Sequence, residues 1–282
     1  MTSSTRWPAF RLSCPVRDCG RPLDADASAK HLSCERGHTF DRARSGYVSL
    51  VQPQDRRSVR AGDAPEAAAA RSRWLARGHM DGLLGVLTAR LAAAGLGRGA
   101  RIVEAGCGDG WAVAAVAERL GLEACGIDLS KAALERAARH RPDAVWIAAN
   151  ADRRLPFPDG SVDAVASVFG RRNPGEFGRI LAPGGVIVAA VPGPDDLVEL
   201  RSAVLGQAVL EDRLPAVLAE FRGFEELERE RWTVRRELDR NAIADLLAST
   251  YRGVRRRERG RADALASLAV TLSADVAILR PG

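Results

Sequence analysis

The amino-acid sequence predicts an α/β fold in which a doubly wound sheet of seven strands follows a small N-terminal zinc ribbon. Two observations lead to this prediction. From residue 100 onward, apolar segments of strand length alternate with amphipathic segments of helical length, as in a parallel sheet covered by helices. Before that, two pairs of metal-ligating residue types lie in a polar stretch near the N-terminus.

The candidate zinc ligands are Cys14 with Cys19, and Cys34 with His38. Zinc prefers four tetrahedral sulfur or nitrogen ligands, usually in two close pairs on tight turns. Gly20 follows the first pair, at a position where such a turn often needs a positive φ. Because the segment has too few apolar residues for its own core, a bound metal would supply the missing folding free energy.

The predicted ribbon covers residues 1–50, and its middle is long enough for a hairpin that returns the chain to the second ligand pair. His31 is interpreted as a strand residue of this hairpin, and it is the substitute ligand if His38 does not bind. The alternative interpretation is three buried free cysteines and a surface histidine. Residues 51–80 are predicted to form a linker and helical connection, and residues 81–282 the second domain.

The elements of the second domain follow from hydrophobic periodicity. Strands are predicted at 100–106, 123–130, 144–150, 162–169 and 184–192. Helices are predicted at 109–121 and 130–140, the second of them capped by Ser130. Toward the C-terminus, the alternating segment 224–238 and the apolar segment 264–282 complete the sheet in antiparallel fashion, with helices at 211–221 and 240–250.

The first of these strands runs into the glycine-rich loop "EAGCGDG", where Gly106 and Gly108 let the backbone turn sharply and approach a ligand. Dinucleotide-binding folds share this glycine spacing, so the loop alone is weak evidence. The carboxylates around it are more specific. Glu104 stands two residues before the first glycine, and Asp128 ends the second strand, where it can accept both ribose hydroxyls. Asp152 follows the third strand, placed to meet an adenine amino group.

This set of residues resembles the class I S-adenosylmethionine-dependent methyltransferases over roughly residues 80–200. The resemblance implies that Glu104 helps to hold the methionyl amine, and that the glycines and Asp109 line the cofactor. It also implies that Asp128 binds the ribose and that Asp152 binds the adenine. The predicted cofactor is therefore S-adenosyl-L-methionine, and the predicted activity is methyl transfer.

A ribbon in front of such a domain narrows the resemblance further. The segments "CERGHTFDRARSGYVSLV", "LPFPDGSVDAV" and "FGRRNPGEFGRILAPGG" are similar to the RlmA family. Members of that family methylate N1 of a guanine in large-subunit (23S) ribosomal RNA, and some relatives confer macrolide resistance. The resemblance implies Zn2+ as a second cofactor, with the family's zinc ligands at Cys14, Cys19, Cys34 and His38.

Several positions depart from the family pattern. Met80 stands where the family usually has Tyr, and Asp196 stands where it often has His; both positions lie near the cofactor, so both residues are predicted cofactor contacts. After the aromatic residue Phe169, Gly170 and Arg171 stand where the family commonly has Ala and Pro. The segment "STYRGVRRRERGR" replaces an expected stretch with Thr-Pro and Trp. Cofactor binding is therefore better supported than guanine specificity.

Methyl transfer from a sulfonium is an in-line displacement, so the enzyme mainly positions donor and acceptor. Guanine N1 carries a proton at neutral pH, and a nearby group or water must accept it. Asp195, Asp196 and Glu176 are the available acids, and the sequence does not choose among them, so no catalytic residue is assigned. Phe169 either stacks on the target base or packs as core. Two roles stay open for His79, one near the cofactor and one as a helix cap.

Positive charge is concentrated in "DRRSVR" (55–60) and "YRGVRRRERGR" (251–261), within a chain of formal net charge +6. We expect the ribbon and these two segments to contact phosphates of the RNA, the second segment through Arg255, Arg256 and Arg257. The alternative is that both segments are only solvated surface. Two other functions stay open. One is a small-molecule methyltransferase that keeps the ribbon as a structural module, and the other is a catalytically inactive zinc-containing RNA-binding protein.

The sequence has no candidate transmembrane span and no apolar region typical of a secretory signal near its N-terminus. Its five cysteines are an odd number, which does not fit a small disulfide scaffold. We therefore expect a reduced, cytoplasmic setting and no membrane partner. The oligomeric state is left open, a homodimer included.

Overall fold

The computed structural model describes residues 10–25, 30–55, 64–206, 210–250 and 256–282, without the side chains of 256–259. The first sheet is the ribbon. Its four strands pair antiparallel in sequential order, and they are β1 (Leu12–Ser13), β2 (Pro22–Ala25), β3 (His31–Ser33) and β4 (Thr39–Asp41). The hairpin predicted between the two ligand pairs is therefore confirmed, with His31 on a strand.

The second sheet is built from β5 (Val48–Ser49), β6 (Arg101–Ala105), β7 (Glu123–Asp128), β8 (Val145–Ala148), β9 (Val162–Val168), β10 (Leu181–Pro192), β11 (Phe224–Asp239) and β12 (Ser267–Pro281). Their spatial order is β11-β12-β10-β9-β6-β7-β8-β5. Strands β5 to β10 pair parallel to one another, whereas β12 pairs antiparallel with β10 and with β11. The predicted doubly wound sheet with an antiparallel end is confirmed.

The helices of the described residues are α1 (Pro65–Ala76), α2 (Asp81–Ala93), α3 (Trp111–Leu120), α4 (Lys131–His140), α5 (Pro174–Ile180), α6 (Val198–Leu205), α7 (Leu214–Glu220), α8 (Arg240–Thr250) and α9 (Arg256–Asp263). Strands β6 to β9 are buried on both faces, as expected for a parallel sheet with helices on either side. None of the described helices is long and apolar enough to cross a lipid bilayer.

An eighth strand joins the seven that the sequence predicts. Strand β5, of two residues, pairs parallel with β8 at the edge of the large sheet, with Val48 opposite Ile147. This strand lies within the segment predicted as ribbon, so the ribbon is tied to the large sheet by backbone hydrogen bonds. The division of the chain into domains at residues 50 and 80 stays a prediction.

The ribbon also shares its apolar core with the larger domain. Phe10, Leu12, Leu32 and Phe40 are buried in one cluster with side chains from the β8–β9 connection, and the ring centroids of Phe10 and Phe157 are 6.1 Å apart. The backbone N–H of Ser13 donates to the carbonyl of Pro156 at 2.9 Å. The ribbon is therefore packed against the loop that follows β8.

Two local expectations need correction. Ser130 stands at the N-cap of α4 but makes no side-chain cap hydrogen bond; its backbone N–H donates instead to Asp128 Oδ1 at 2.7 Å. Helix α5 was not predicted, because its two glycines have low helix propensity. It forms because Phe177 and Ile180 are fully buried against the sheet, so tertiary packing outweighs the local preference.

The space beside the glycine-rich loop is filled by Trp146, whose indole N–H donates to the carbonyl of Arg141 at 2.8 Å. Gly126, on β7, faces this ring. A Cβ at Gly126 would lie 2.5 Å from the ring and 2.6 Å from the sulfur of Cys107. The loop, β7 and the indole are thus packed too closely for any side chain at this position.

We predict that Gly126→Ala lowers the free energy of unfolding by about 1–3 kcal/mol, because the added methyl group overpacks the core. The matched control is Gly85→Ala, which places the same methyl group on the exposed face of α2 with no atom within 4 Å. That change should raise stability by about 0.5–1 kcal/mol through helix propensity. Urea denaturation of both variants measures the difference, and equal stabilities would contradict this account.

Candidate functional site

Four potential metal ligands converge at one end of the ribbon. The donor atoms of Cys14, Cys19, Cys34 and His38 all lie within 4.8 Å of one another. Nδ1 of His38 is 3.4 Å from the sulfurs of both Cys14 and Cys34, and the sulfurs of Cys19 and Cys34 are 3.8 Å apart. Tetrahedral zinc with its usual bond lengths keeps such donors about 3.6–3.8 Å apart, so the cluster fits this metal.

The backbone holds the ligand pairs on tight turns. Asp18 and Gly20 have positive φ angles of 58° and 61°, so the expectation for Gly20 is confirmed. Gly37, with φ of 79°, donates its N–H to the carbonyl of Cys34 at 2.8 Å. His31 lies on the exposed side of β3, where its Nδ1 is 2.9 Å from Asp41 Oδ1. It is not part of the cluster.

The glycine-rich loop connects β6 to α3 at the carboxyl edge of the large sheet. Gly106 and Gly108 have φ angles of 76° and 57°, which are strained for any other residue. A Cβ at Gly106 would also lie 3.0 Å from the backbone nitrogen of Arg171. Cys107 between them is buried, and this burial raises the pKa of its thiol well above the usual value. Both its burial and this shift favour the neutral thiol over the nucleophilic thiolate.

Two of the predicted cofactor carboxylates organise this loop. Glu104 is fully buried at the end of β6, where its Oε2 accepts the N–H of Val113 at 3.0 Å. Burial raises the pKa of Glu104 well above its usual value. Asp128, at the end of β7, accepts the N–H of Gly108 at 2.9 Å and that of Ser130 at 2.7 Å. It thereby joins the loop to the start of α4.

A cleft of about 560 Å³ opens above the glycine-rich loop. It brings together six of the eight predicted cofactor residues, which are Met80, Glu104, Gly106, Gly108, Asp109 and Asp196. Asp128 and Asp152 lie outside its wall. Asp152 lies on the loop after β8, where it is half-exposed and its Oδ2 is 3.8 Å from Arg171 Nη1.

The loop after β10 carries the acids Asp195 and Asp196. Oδ1 of Asp196 accepts the N–H of Ser273 at 2.9 Å, and Oδ1 of Asp195 accepts its hydroxyl at 2.5 Å. Burial raises the pKa of Asp196 to about 6. Of the three candidate proton acceptors, only Asp196 lines the cleft. Glu176 lies elsewhere, with its carboxylate on the backbone N–H of Leu155 and the guanidinium of Arg179.

Two non-glycine residues with positive φ line the same cleft. Phe169 has φ of 52° and is 42% exposed, and Leu197 has φ of 55°. Such conformations cost free energy and cluster at functional sites. Behind Phe169, a Cβ at Gly170 would lie 2.5 Å from the carbonyl oxygen of Ala105, so only glycine fits there. The strand end is therefore held where the phenyl ring is partly exposed in the cleft.

Several cleft residues were missed by the sequence reasoning. Trp74, on α1, lines the cleft and packs on the ring of His79 with centroids 5.1 Å apart. His79 does not cap α2, whose N-cap residue is Met80. At the rim, Arg172 makes a bidentate ion pair with Glu220 at 3.0 and 3.1 Å. The sequence around Trp74 did not indicate that this residue lines the cleft, because its position depends on how α1 packs against α8.

Both predicted basic segments fall largely outside the described residues. Residues 56–63 and 251–255 are not described, and neither are the side chains of Arg256 and Arg257. The predicted phosphate contacts of these segments therefore lie outside the described part of the chain.

Comparison with known proteins gives two family matches. The RlmA N-terminal zinc ribbon model matches residues 12–59, and a methyltransferase domain model matches residues 102–185. These regions contain the four-residue metal cluster and the glycine-rich loop, respectively.

Three curated relatives are similar over most of their length. The chain is 38% identical over 245 residues to the 23S rRNA (guanine(748)-N(1))-methyltransferase of Streptomyces fradiae, covering 84% of this chain and 83% of that protein. It is 38% identical over 205 residues to the putative 23S rRNA (guanine-N(1)-)-methyltransferase of Micromonospora griseorubida, covering 67% and 68%. The putative 23S rRNA (guanine-N(1)-)-methyltransferase YxjB of Bacillus subtilis is 36% identical over 195 residues, covering 67% and 66%.

We predict that His38→Ala loses the zinc that the wild-type protein carries after purification without chelators, because three ligands hold zinc much less tightly than four. The matched control is His31→Ala, which removes a histidine from the same sheet but outside the cluster. Elemental analysis should give one zinc per chain for the control and the wild type. Equal zinc content in both variants would remove His38 from the ligand set.

Proposed function

The chain belongs to the family of 23S rRNA (guanine-N1)-methyltransferases with an RlmA-type zinc ribbon, and we propose that it transfers a methyl group from S-adenosylmethionine to N1 of a guanine in 23S ribosomal RNA. The observation that carries this proposal is the combination, in one chain, of a zinc-fitting cluster and a glycine-lined cleft at the carboxyl edge of a parallel sheet. With a ribosomal RNA substrate, the proposed site of action is the cytoplasm.

The alternatives are less well supported. A small-molecule methyltransferase needs no ribbon packed against its sheet, and the relatives named for an RNA substrate align with the chain well beyond the methyltransferase core. A protein without catalysis has no reason to keep a buried acid and positive-φ glycines around an open cleft.

The residues of the cleft fit the proposed cofactor. Glu104 is a buried carboxylate with a single N–H donor, and this leaves it suited to the ammonium group of the methionyl part. Asp128 is the proposed acceptor for the ribose hydroxyls, and Asp152 the acceptor for the adenine amino group. S-adenosylmethionine, when bound, supplies a methyl group on a positively charged sulfur, so the protein has to orient the acceptor and remove its proton.

Phe169 is the proposed stacking surface for the target guanine. Its ring is large, apolar and partly exposed in the cleft, at the end of the strand next to the glycine-rich loop. Stacking a base on an aromatic ring typically contributes about 1–3 kcal/mol. Guanine N1 lies on the Watson–Crick edge, so the base must leave its RNA partner before it reaches this ring.

Asp196 is the proposed acceptor of the N1 proton. Its carboxylate lines the cleft, whereas Asp195 lies outside the cleft wall and Glu176 is engaged by Arg179. Of the other acids of the cleft, Glu104 lies at its buried end and Asp109 is a proposed cofactor contact. Glu220 is paired with Arg172, Glu211 is paired with Arg213, and Asp212 accepts the N–H of Leu214. With one oxygen held by Ser273, the carboxylate of Asp196 is fixed in position.

The function is tested by incubating the purified protein and S-adenosylmethionine with 23S rRNA, then digesting the RNA for mass spectrometry. We expect one methylated guanosine per RNA, and a stop of reverse transcriptase at that position, because a methyl group on N1 blocks Watson–Crick pairing. Phe169→Leu keeps an apolar side chain and should lower the rate by roughly 10-fold or more through lost stacking. Absence of methylation on any rRNA would overturn the proposed function.

The role of Asp196 predicts a pH dependence. Because the pKa of Asp196 is raised to about 6, its basic form becomes available as the pH rises through that value. Single-turnover methylation should therefore increase from pH 5 to 7 and then level off. Asp196→Asn should lower the rate by about 10²–10⁴ and abolish this rise. Asp195→Asn is the control, and it should keep the rise of the rate with pH. An unchanged pH profile in Asp196→Asn would exclude Asp196 as the proton acceptor.

A further inference from the structure

A second cleft, of about 580 Å³, lies where the ribbon meets the larger domain, and no cofactor role accounts for it. Its walls come from three parts of the chain. The first zinc turn contributes Arg17, the segment after β5 contributes Asp55, and the loop after β8 contributes Asn150, Arg153 and Arg154. The cleft therefore exists only because the ribbon is packed against the methyltransferase sheet.

Asp55 is the buried centre of this second cleft, with 4% of its surface exposed. Its Oδ1 accepts the side-chain N–H of Asn150 at 3.1 Å and Nε of Arg153 at 2.5 Å, and its Oδ2 accepts the backbone N–H of Gln52 at 3.1 Å. The carboxylate thus holds the guanidinium of Arg153 through Nε. Among the described residues, the two terminal nitrogens of Arg153 have no hydrogen-bond partner.

The other two arginines are weakly held. The side chain of Arg17 is 93% exposed with its Nε 3.6 Å from Asp18, and Arg154 has only a 3.8 Å approach to Asp159. Exposed pairs of this kind contribute little free energy, so both guanidinium groups are available to an external anion. Arginines outnumber acids three to one in the walls of the cleft. A phosphate group suits them, because a guanidinium binds its oxygens with two parallel hydrogen bonds.

The loop after β8, which lines the second cleft, is also held by the segment that follows Phe169. Asn173 donates its side-chain N–H groups to the carbonyls of Ala151 and Arg153, both at 3.1 Å, and Nη1 of Arg171 is 3.8 Å from Oδ2 of Asp152. The loop that carries Arg153 and Arg154 is therefore in contact with the segment that follows Phe169, whose ring lies in the cofactor cleft. An RNA strand that places a base on Phe169 can continue over this loop toward Arg153 and Arg154.

We propose that the second cleft binds the phosphodiester backbone of the RNA substrate next to the target guanine, through Arg17, Arg153 and Arg154. This inference rests on the proposed function, because it takes the substrate to be RNA. It assigns a defined role to the zinc turn, since Arg17 lies between two zinc ligands and its position depends on the metal.

The test compares Arg17→Gln/Arg154→Gln with the matched control Arg119→Gln/Arg139→Gln. The control residues lie in the last turns of α3 and α4, at the opposite edge of the sheet. Arg139 is about as exposed as Arg154, and its ion pair with Glu135, at 3.4 Å, is likewise on the surface. The probe is a synthetic 23S rRNA hairpin, and its affinity is measured by fluorescence anisotropy over a series of KCl concentrations.

We expect the slope of log K against log [KCl] to flatten by about one to two units in the cleft variant, near 0.7–0.9 for each lost phosphate contact. The control variant should keep the wild-type slope. Zinc content and S-adenosylmethionine affinity should stay unchanged in both variants, which excludes loss of the fold as the cause.

If wild type binds and methylates the hairpin while the cleft variant keeps the wild-type slope, this inference is wrong and the proposed function stands. If wild type binds S-adenosylmethionine but neither binds nor methylates any rRNA fragment, both fail.

Discussion

The ribbon has too few apolar side chains for a core of its own, and the rest of the architecture depends on this constraint. Its buried residues, Phe10 among them, are covered by Phe157 and its neighbours in the larger domain. Metal ligation alone would fix the two turns but not their orientation toward the sheet. Because the apolar cluster is shared, the zinc turns are held in a fixed position relative to the glycine-rich loop.

Charge is distributed unequally between the two clefts. The cofactor cleft contains several carboxylates, from the buried Glu104 to Asp109 and Asp196, and such a surface favours a cationic sulfonium over a phosphate. In the second cleft, three guanidinium groups face a single carboxylate, that of Asp55. The second cleft would therefore attract the phosphates of a polyanionic strand, and the carboxylates of the cofactor cleft would repel them. An uncharged base can still enter the cofactor cleft.

The sequence predicted what depends on local pattern. The alternation of strands and helices, the two ligand pairs and the glycine-rich loop all follow from spacing within short segments. It did not predict features that depend on distant packing. Helix α5 forms through burial of Phe177, and Trp74 reaches the cleft because α1 packs against α8. The positive φ of Leu197 had no signal either, since a leucine does not ordinarily adopt it.

The parallel pairing of β5 with β8 has a consequence for the order in which the chain folds. Val48 and Ile147 are neighbours in the sheet but about a hundred residues apart in sequence, and Phe157 is more distant still. During synthesis the ribbon emerges first, whereas the residues that cover its apolar side chains are translated about a hundred residues later or more. Zinc can thus close the two turns early, and docking of the ribbon waits until β8 and the loop after it have been translated.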